Sequence, residues 1–240
     1  MAHLERLTNA RNDQVNKIIV LLKYEIIFGR LRPRERLIED ELCSQFSTSR
    51  HVVRAAFVAL EHMGLVTRRP NKGAAVRDFS VEEVEEMYEM RALLQAEAGR
   101  RIPLPASPEL LDRVRALHAQ YSKAVAERDL GLVCTINNRF HHAIFEACGN
   151  RYLVQMIERI WTETLAIRCY AIGDPALLAR SRREHERIIA ALAEGNRERL
   201  VREVVDHIWP ALEAYKRAHG GWNGTATAAH ASGVPERAAG

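Results

Sequence analysis

The stretch that decides the fold is STSRHVVRAAFVALEHMGLVTRRPNKG, residues 47–73. Its apolar residues recur at helical spacing and predict one buried helix face: Val53, Ala56, Phe57 and Leu60. On the other side of the same helix, near its N-terminus, lie Arg50, His51 and Arg54. Gly64 then ends the helix, and a basic turn follows. The stretch therefore predicts a packed helix that presents cations outward.

Arg50 and Arg54 are four residues apart, so their side chains leave the same surface one turn from each other. No acid stands in the same row of this helix to neutralise them. A guanidinium group suits guanine O6 and N7, or a phosphate, in a bidentate way. A merely solvated basic face is the alternative for an isolated arginine pair, and the elements on either side decide against it.

Those flanking elements predict a winged helix-turn-helix over residues 1–78. Apolar residues from Val15 to Ile27 predict a first helix that stops at Gly29, and residues 39–46 predict a short second helix. We expect the serine and threonine cluster 47–49 to cap the third helix through its side-chain oxygens. Residues 65–68 and 74–77 predict two strands joined by the turn 69–73. In such folds the third helix enters the major groove and the basic hairpin, or wing, reaches the DNA backbone or the minor groove.

The segment LRPRERLIEDELCSQFSTSRHVVRAAFVALEHMGLVTRRPNKGAAV resembles the DNA-binding domain of GntR-type bacterial transcription regulators over about residues 12–78. The resemblance implies that five positions contact operator DNA: Ser49, Arg50, Arg54, Lys72 and Gly73. His51 also stands at a DNA-facing position, where the segment HVV departs from the usual Thr-Pro-Val. Ser47 and Thr48 replace the usual Gly-Val, and Arg34 replaces a Gly.

Composition agrees with a polyanion-binding module joined to a near-neutral domain. Residues 1–78 hold 14 Lys and Arg against 9 Asp and Glu, whereas the rest of the chain holds 21 against 22. The apolar runs are too short to cross a bilayer and no signal peptide is evident, so we expect a cytoplasmic protein without a membrane partner. The four cysteines show no CxxC spacing and are expected to be reduced core residues.

From Ser80 onward the pattern is helical and predicts an all-α bundle of six helices over residues 79–218. The first helix opens after Ser80 and ends before Pro103. The other five are expected at about residues 108–127, 129–148, 150–171, 176–194 and 197–218, separated by turn signals. The Gly- and Ala-rich tail, residues 219–240, is expected to be disordered.

One amide and three imidazoles in this region have the spacing of a metal site. Asn137 and His141 are four residues apart and share a helix face. His185 lies about ten residues before the turn at residues 195–196 and His207 about eleven after it, so in an antiparallel hairpin both lie about 15 Å from the turn. An Asn oxygen plus three imidazoles, with positions left open, fits zinc, nickel or a similar divalent metal. His118 and His142 have no such spacing and are interpreted as surface or core residues.

The segments NNRFHHAIFEACGN and REHERIIAALAEGNRERLVREVVDHI resemble the FCD domain, the helical ligand-binding domain of the FadR branch of GntR regulators. The resemblance covers about residues 80–217 and implies that Asn137, His141, His185 and His207 hold the metal, with Asn137 where most members carry Asp. It also implies a small organic acid as effector. We name Arg91 as the candidate contact for its carboxylate, with a structural salt bridge as the open alternative.

The sequence thus predicts a ligand-responsive transcription regulator, a repressor in most of this family, that grips a palindromic operator as a homodimer. Two other functions stay open. The histidines could support a metal-dependent enzyme, although the helical half shows no evident general base beside them, no nucleophile motif and no phosphate loop. A ligand-independent DNA-binding protein would leave the histidines unexplained.

Overall fold

The computed structural model describes residues 2–69, 73–169 and 172–219 of the 240. Lys72 and nearly all of the predicted tail lie outside the described residues. Within the described ranges, no helix combines the length and the apolar character that a membrane span requires. The chain forms a small N-terminal unit with a sheet, followed by a larger unit built of helices.

The N-terminal unit contains three helices and a three-stranded antiparallel sheet. The helices are α1 (Ala2–Ile27), α2 (Glu39–Gln45) and α3 (Arg50–His62). The strands are β1 (Arg36–Leu37), β2 (Val66–Arg69) and β3 (Gly73–Val76), in the order β1-β3-β2. The predicted three helices and hairpin are confirmed. The short β1 was not anticipated, because two residues carry no readable alternation; Arg36 pairs with Ala75 and Leu37 with Ala74.

The predicted apolar face of α3 forms the centre of this unit. Val53, Ala56, Phe57 and Leu60 are all at most 1% exposed. Gly64 follows the helix at a φ of +68°, which favours glycine, and a Cβ there would lie only 3.2 Å from the Cα of Glu163. Gly64 therefore allows α3 to end, and because it has no side chain, it also allows Glu163 of the helical unit to lie close to it.

The predicted capping by residues 47–49 is wrong in its detail. Ser49 is the N-cap of α3, with extended backbone angles, but its side chain makes no capping hydrogen bond. The Thr48 hydroxyl instead donates to Gln14 Oε1 at 2.8 Å, which ties the turn to α1. Tertiary contact has replaced the local cap.

The helical unit contains eight helices among the described residues, two more than predicted. They are α4 (Val81–Arg101), α5 (Pro108–Glu127), α6 (Leu130–Glu146), α7 (Arg151–Glu163), α8 (Leu165–Cys169), α9 (Pro175–Glu194), α10 (Arg197–Asp206) and α11 (Trp209–His219). Serine, aspartate or asparagine side chains cap the N-termini of α4, α5, α6, α7, α9 and α10.

The extra helices arise because two predicted helices are broken. Helix α7 ends at Thr164, which is fully buried and whose φ of −94° and ψ of 11° depart from helical values, while its hydroxyl donates to the carbonyl of Ile160. After α10, Pro210 cannot donate to the carbonyl of Asp206 and its ring would clash with it. The chain therefore leaves the helix at His207 and re-enters one at Trp209.

The two units share a core where they meet. Cys134 from α6 and Leu165 from α8 are buried with the apolar residues of the N-terminal unit. Close by, Gly131 of α6 lies against Tyr24 of α1, so closely that an added Cβ would be 2.7 Å from the tyrosine hydroxyl. Cys43, Cys134 and Cys148 are free thiols, as predicted. The side chain of Cys169 lies outside the described residues.

Candidate DNA-binding surface and metal centre

The outward face of α3 carries the arginines that the sequence singled out, and both are exposed. Arg50 donates from Nε and Nη2 to the carboxylate oxygens of Asp40 at 2.9 and 3.0 Å. Arg54 donates from Nε to both oxygens of Glu39 at 3.0 Å. No acid in the same row of α3 pairs with these arginines, but two acids from α2 do, which the spacing within α3 could not show.

These ion pairs hold the guanidinium groups in place without hiding them. The side chains of Arg50 and Asp40 are 64% and 68% exposed, and that of Arg54 is 62% exposed. Exposed ion pairs contribute little because water and salt screen them. A DNA phosphate or a guanine edge can therefore replace the carboxylate of Asp40 at small cost, whereas Glu39 is only 20% exposed and keeps Arg54 ordered more firmly.

The remaining predicted DNA contacts surround this face. Ser49 and His51 are both exposed at the start of α3. Gly73 begins β3 at a φ of +76° and is exposed at the tip of the hairpin. Together with the two arginines they lie at the two elements that a winged helix-turn-helix presents to DNA. Lys72 cannot be placed.

His141, His185 and His207 come together in the helical unit. Their nearest ring nitrogens all lie within 4.8 Å of one another. His141 comes from α6, His185 from α9, and His207 caps the C-terminus of α10. The predicted hairpin of α9 and α10 therefore brings His185 and His207 level, with ring centroids 4.8 Å apart.

Two distances in this cluster suit a single metal ion. Nε2 of His141 and Nε2 of His207 are 3.1 Å apart. Zinc binds imidazole nitrogen at about 2.0–2.1 Å, so two neighbouring ligands on one ion lie roughly 3.0–3.4 Å apart. Nδ1 of His207 donates to Glu184 Oε2 at 2.8 Å, which leaves the Nε2 lone pair of His207 facing the other histidines.

His185 supplies the test of whether a metal fits. It is 0% exposed, and among the described residues neither of its ring nitrogens has a hydrogen-bond partner. Its ring stacks on Phe140 at 4.2 Å between centroids. An imidazole without any polar partner is costly to bury, and a metal ion would satisfy it. The donor set therefore fits a divalent metal.

The electrostatics keep His141 and His185 neutral, as metal ligands must be. Burial lowers the pKa of His141 well below 6.5, and the charges of His207, Arg168 and Arg91 lower it further. Burial likewise lowers the pKa of His185 well below 6.5, with added contributions from its histidine neighbours. Both imidazoles therefore hold free lone pairs at neutral pH.

Glu184 is a site residue that sequence reasoning missed. Burial alone would raise its pKa, but hydrogen bonds and charges from His207 and Arg180 hold the pKa below its usual value. It is 3% exposed and thus a buried carboxylate that orients a histidine. A signal existed, since Glu184 falls on the apolar row of Leu177, Ser181 and Ile188 in α9.

His141 and His207 line a cavity of about 80 Å³, which we call the histidine cavity. Its wall is defined by Asn137, His141, His207, Glu184, Trp161, Gln95, Arg91 and Arg168, with apolar residues of α9 and α11. Asn137 is half-buried on this wall, as its spacing from His141 predicted. Asn137, His141 and His207 therefore share one space, and the ring of His185 lies 5.1 and 4.8 Å from the rings of the two histidines.

Arg91 brings an unsatisfied positive charge to the same cavity. It is 5% exposed, and burial lowers its pKa to about 10, so it stays charged at neutral pH. Its guanidinium carbon lies 4.5 Å from the ring centre of Tyr88. Nε and Nη1 have no hydrogen-bond partner, and no ion pair joins Arg91 to any acid in the part of the chain that the structure describes. The salt-bridge alternative for Arg91 thus has no support.

The other two histidines have different surroundings. His142 Nε2 lies 2.8 Å from Glu158 Oε1, on the far side of α6 from the cluster. The His118 ring stands edge-on to that of His185 at 6.0 Å, and its Nε2 lies 3.5 Å from Glu186. His118 therefore packs behind the cluster and His142 makes a surface ion pair.

The chain is similar to known bacterial regulators along most of its length. Residues 14–76 match the family of bacterial regulatory proteins, gntR family, and residues 86–209 match the FCD domain. A D-xylose utilization operon transcriptional repressor of Paenarthrobacter nicotinovorans is 26% identical over 209 residues, which is 87% of this chain and 90% of that protein. The HTH-type transcriptional repressor RspR of Escherichia coli K12 is 22% identical over 213 residues, 88% and 91% of the two chains.

Two solved structures share the fold. E. coli McbR/YncC is 21% identical, with a TM-score of 0.66 over 86% of this chain and 98% of its own. A transcriptional regulator GntR from Rhodococcus sp. RHA1 is 24% identical, with a TM-score of 0.68 over 86% and 99%. Because the FCD match alone spans more than half of the chain and the gntR match precedes it, this protein belongs to the GntR family of bacterial transcription regulators with a C-terminal FCD domain, and it is not an enzyme.

Proposed function

We propose that this regulator is a repressor of the FadR branch whose grip on DNA is controlled by a small organic acid bound beside a divalent metal in the histidine cavity. The observation that carries the proposal is the buried Arg91, a cation without a counter-ion in a cavity that His141 and His207 of the histidine cluster also line. A buried charge of this kind is stabilised by an anion. A carboxylate that reaches both the guanidinium and the metal supplies it.

Each residue of the site would have a separate role in binding the metal or the acid. Asn137, His141, His185 and His207 would hold the metal, and Glu184 would fix the orientation of His207. When bound, zinc or nickel supplies a positive centre for carboxylate oxygen. Arg91 would bind and orient the carboxylate from the other side. A volume of about 80 Å³ equals the space of roughly half a dozen waters, so the acid is small.

Two helices connect this cavity to the DNA-binding unit. Helix α6 carries Asn137 and His141, and at its start Gly131 contacts Tyr24 of α1. Helix α8 carries Arg168 into the histidine cavity and Leu165 into the core of the N-terminal unit. An acid that moves either helix therefore changes how the N-terminal unit is held, which is the differential contact that allosteric control requires.

We propose that the operator is a palindrome held by a homodimer in the cytoplasm. The helical unit exposes large apolar side chains on α4 and α7, two helices that pack against each other. Met90 and Leu93 on α4 are 48% and 60% exposed, and Tyr152 and Met156 on α7 are 63% and 47% exposed. A second copy of the chain would bury these side chains. Light scattering should give twice the chain mass for the wild type and a smaller mass for Leu93→Glu.

The proposed function is tested by metal content, ligand response and DNA binding on the same samples. Wild type, His141→Ala and the matched control His142→Ala are analysed by elemental mass spectrometry, then by thermal shift against a panel of small organic acids. We expect near-stoichiometric metal and an acid-induced shift in the wild type and in His142→Ala, and neither in His141→Ala.

DNA selected from a random pool by the wild type then serves to measure affinity with and without the acid. The affinity should change with the acid for the wild type only. If the wild type contains no metal and no acid alters its DNA affinity, the proposed sensing function is refuted. That result would instead support ligand-independent DNA binding.

A further inference from the structure

A second and larger cavity lies where the two units meet, and we call it the junction cavity. Its volume is about 770 Å³. Lys23 from α1 and Met63 from the end of α3 form its N-terminal wall, and α5, α6, α7 and α8 form the rest. Organic ligands occupy cavities of roughly 300–1,000 Å³. The junction cavity thus has the size of a ligand site, whereas the histidine cavity holds only a few atoms.

The charges of the junction cavity favour an anion. Lys23, Arg113, Arg139 and Arg168 line it, against the single acid Glu158. That acid is already engaged, because Glu158 lies 2.8 Å from His142 Nε2. Of the cations, Arg113 has Glu146 as a partner outside the cavity, at 2.9 Å. Lys23 and Arg139 make no ion pair within the described ranges, and Lys23 is half-buried. The wall therefore keeps an excess of positive charge.

The remaining wall favours a ligand with an apolar body. Leu117 and Leu165 are buried aliphatic residues that face the cavity, and Met63 and Trp161 complete the apolar part. Thr162, Gln120 and Asn138 add neutral polar groups. An apolar surface with cations at its rim suits an amphipathic organic anion, which buries its body and keeps its charged group beside the guanidinium and ammonium groups.

We propose that the junction cavity is a second ligand site that binds an organic anion with an apolar body. This site is separate from the proposed acid site and goes beyond it. Because Lys23 and Met63 belong to the DNA-binding unit and the other walls to the helical unit, the occupant clamps the two units together. Arg168 and Trp161 line both cavities, so occupation of one alters the surroundings of the other.

The test uses 8-anilinonaphthalene-1-sulfonate, a fluorescent organic anion with an apolar body, titrated into the full chain. We expect saturable binding to one site per chain. Lys23→Gln combined with Arg139→Gln should weaken it by about tenfold, as expected when a ligand loses two charged contacts. The control Lys17→Gln with Arg202→Gln removes the same charge from exposed positions away from the cavity, and its affinity should stay within about twofold of the wild type.

A second variant tests the same site without changing charge. Ala116→Trp places a large side chain on the exposed rim of the cavity, and it should reduce binding and keep the wild-type circular dichroism. The titration is carried out on metal-free protein without any organic acid, so failure of the proposed metal site does not affect the outcome. Equal affinity in the Lys23/Arg139 and Lys17/Arg202 double variants, or unchanged binding in Ala116→Trp, would overturn the proposal.

Discussion

Replacing Arg91 with Met should stabilise the ligand-free protein and abolish its response to organic acids. Burial lowers the pKa of Arg91 to about 10. Each pKa unit below the ordinary value of an arginine corresponds to about 1.4 kcal/mol, so the charged guanidinium costs the folded state on the order of 3 kcal/mol. Because the pKa is lowered and the group is a cation, this cost is fully present below pH 10 and disappears only as the pH rises to the ordinary pKa of arginine.

The net gain will be smaller than that cost, since Met also loses the contact of the guanidinium with the Tyr88 ring. We expect an increase of about 1–2 kcal/mol in the free energy of unfolding of metal-free protein, or roughly 2–8 °C in Tm for a chain of this size. Urea denaturation at pH 7 measures the first quantity and thermal shift the second. Arg91→Lys is the control, because it keeps a buried charge and should gain no stability.

The two readouts together decide the role of Arg91. Greater stability with loss of the acid-induced shift means that the charge is kept for binding an anion at the expense of stability. If Arg91→Met unfolds more easily than the wild type by more than 1 kcal/mol, the reasoning about an unpaired buried charge fails. If it keeps the acid response, Arg91 is not the carboxylate contact.

Three other predictions address the DNA-binding face and the histidines. The double variant Arg50→Ala, Arg54→Ala should bind operator DNA at least about 100-fold more weakly in a fluorescence anisotropy assay. Its mass by light scattering should equal that of the wild type. If its DNA affinity is unaltered, α3 is not the recognition helix. Glu184→Gln should weaken metal binding by about 10–100-fold in a chelator competition, and equal affinity would mean that its carboxylate does not support the site. Because His141 and His185 have pKa values well below 6.5, the unfolded chain binds protons at a higher pH than the folded chain does. Metal-free protein should therefore lose up to about 2.7 kcal/mol of unfolding free energy per pH unit below pH 6.5. Urea denaturation measures this, and an unfolding free energy that stays constant between pH 7 and 5.5 would contradict the burial of the two histidines as neutral bases.

Local sequence patterns were enough to predict the elements whose conformation depends mainly on neighbouring residues in the chain. The burial of Phe57 and its row on α3 follows from helical spacing alone, and the capping residues and glycine turns give most helix ends. The breaks at Thr164 and after His207 were missed. The chain leaves helical angles at Thr164, whose buried hydroxyl donates to a backbone carbonyl of α7, and nothing in the neighbouring sequence predicts that burial.

The histidine site was likewise predicted in part from the sequence and in part only seen in the structure. The spacing of residues along the chain predicted that Asn137 lies beside His141 and that His185 lies at the same height as His207 in a helical hairpin. Both relations depend only on helix geometry and on one turn. Spacing did not reveal that His207 donates to Glu184, since that contact depends on how α9 and α10 rotate against each other. Spacing also did not reveal that Arg91 has no acidic partner among the described residues, because that depends on every helix that packs around it.

By itself, then, the sequence determined the two units, their order, the recognition helix and the set of candidate metal ligands, all of which are encoded by periodicity and short motifs. Only the tertiary structure decided that Asp40 and Glu39 pair with the α3 arginines, that Arg91 is a buried cation without a counter-ion, and that a large basic cavity lies where the two units meet. Periodicity fixes which face of a helix is buried. Charge pairing, burial of single polar groups and cavities depend on the residues that other helices bring to that face.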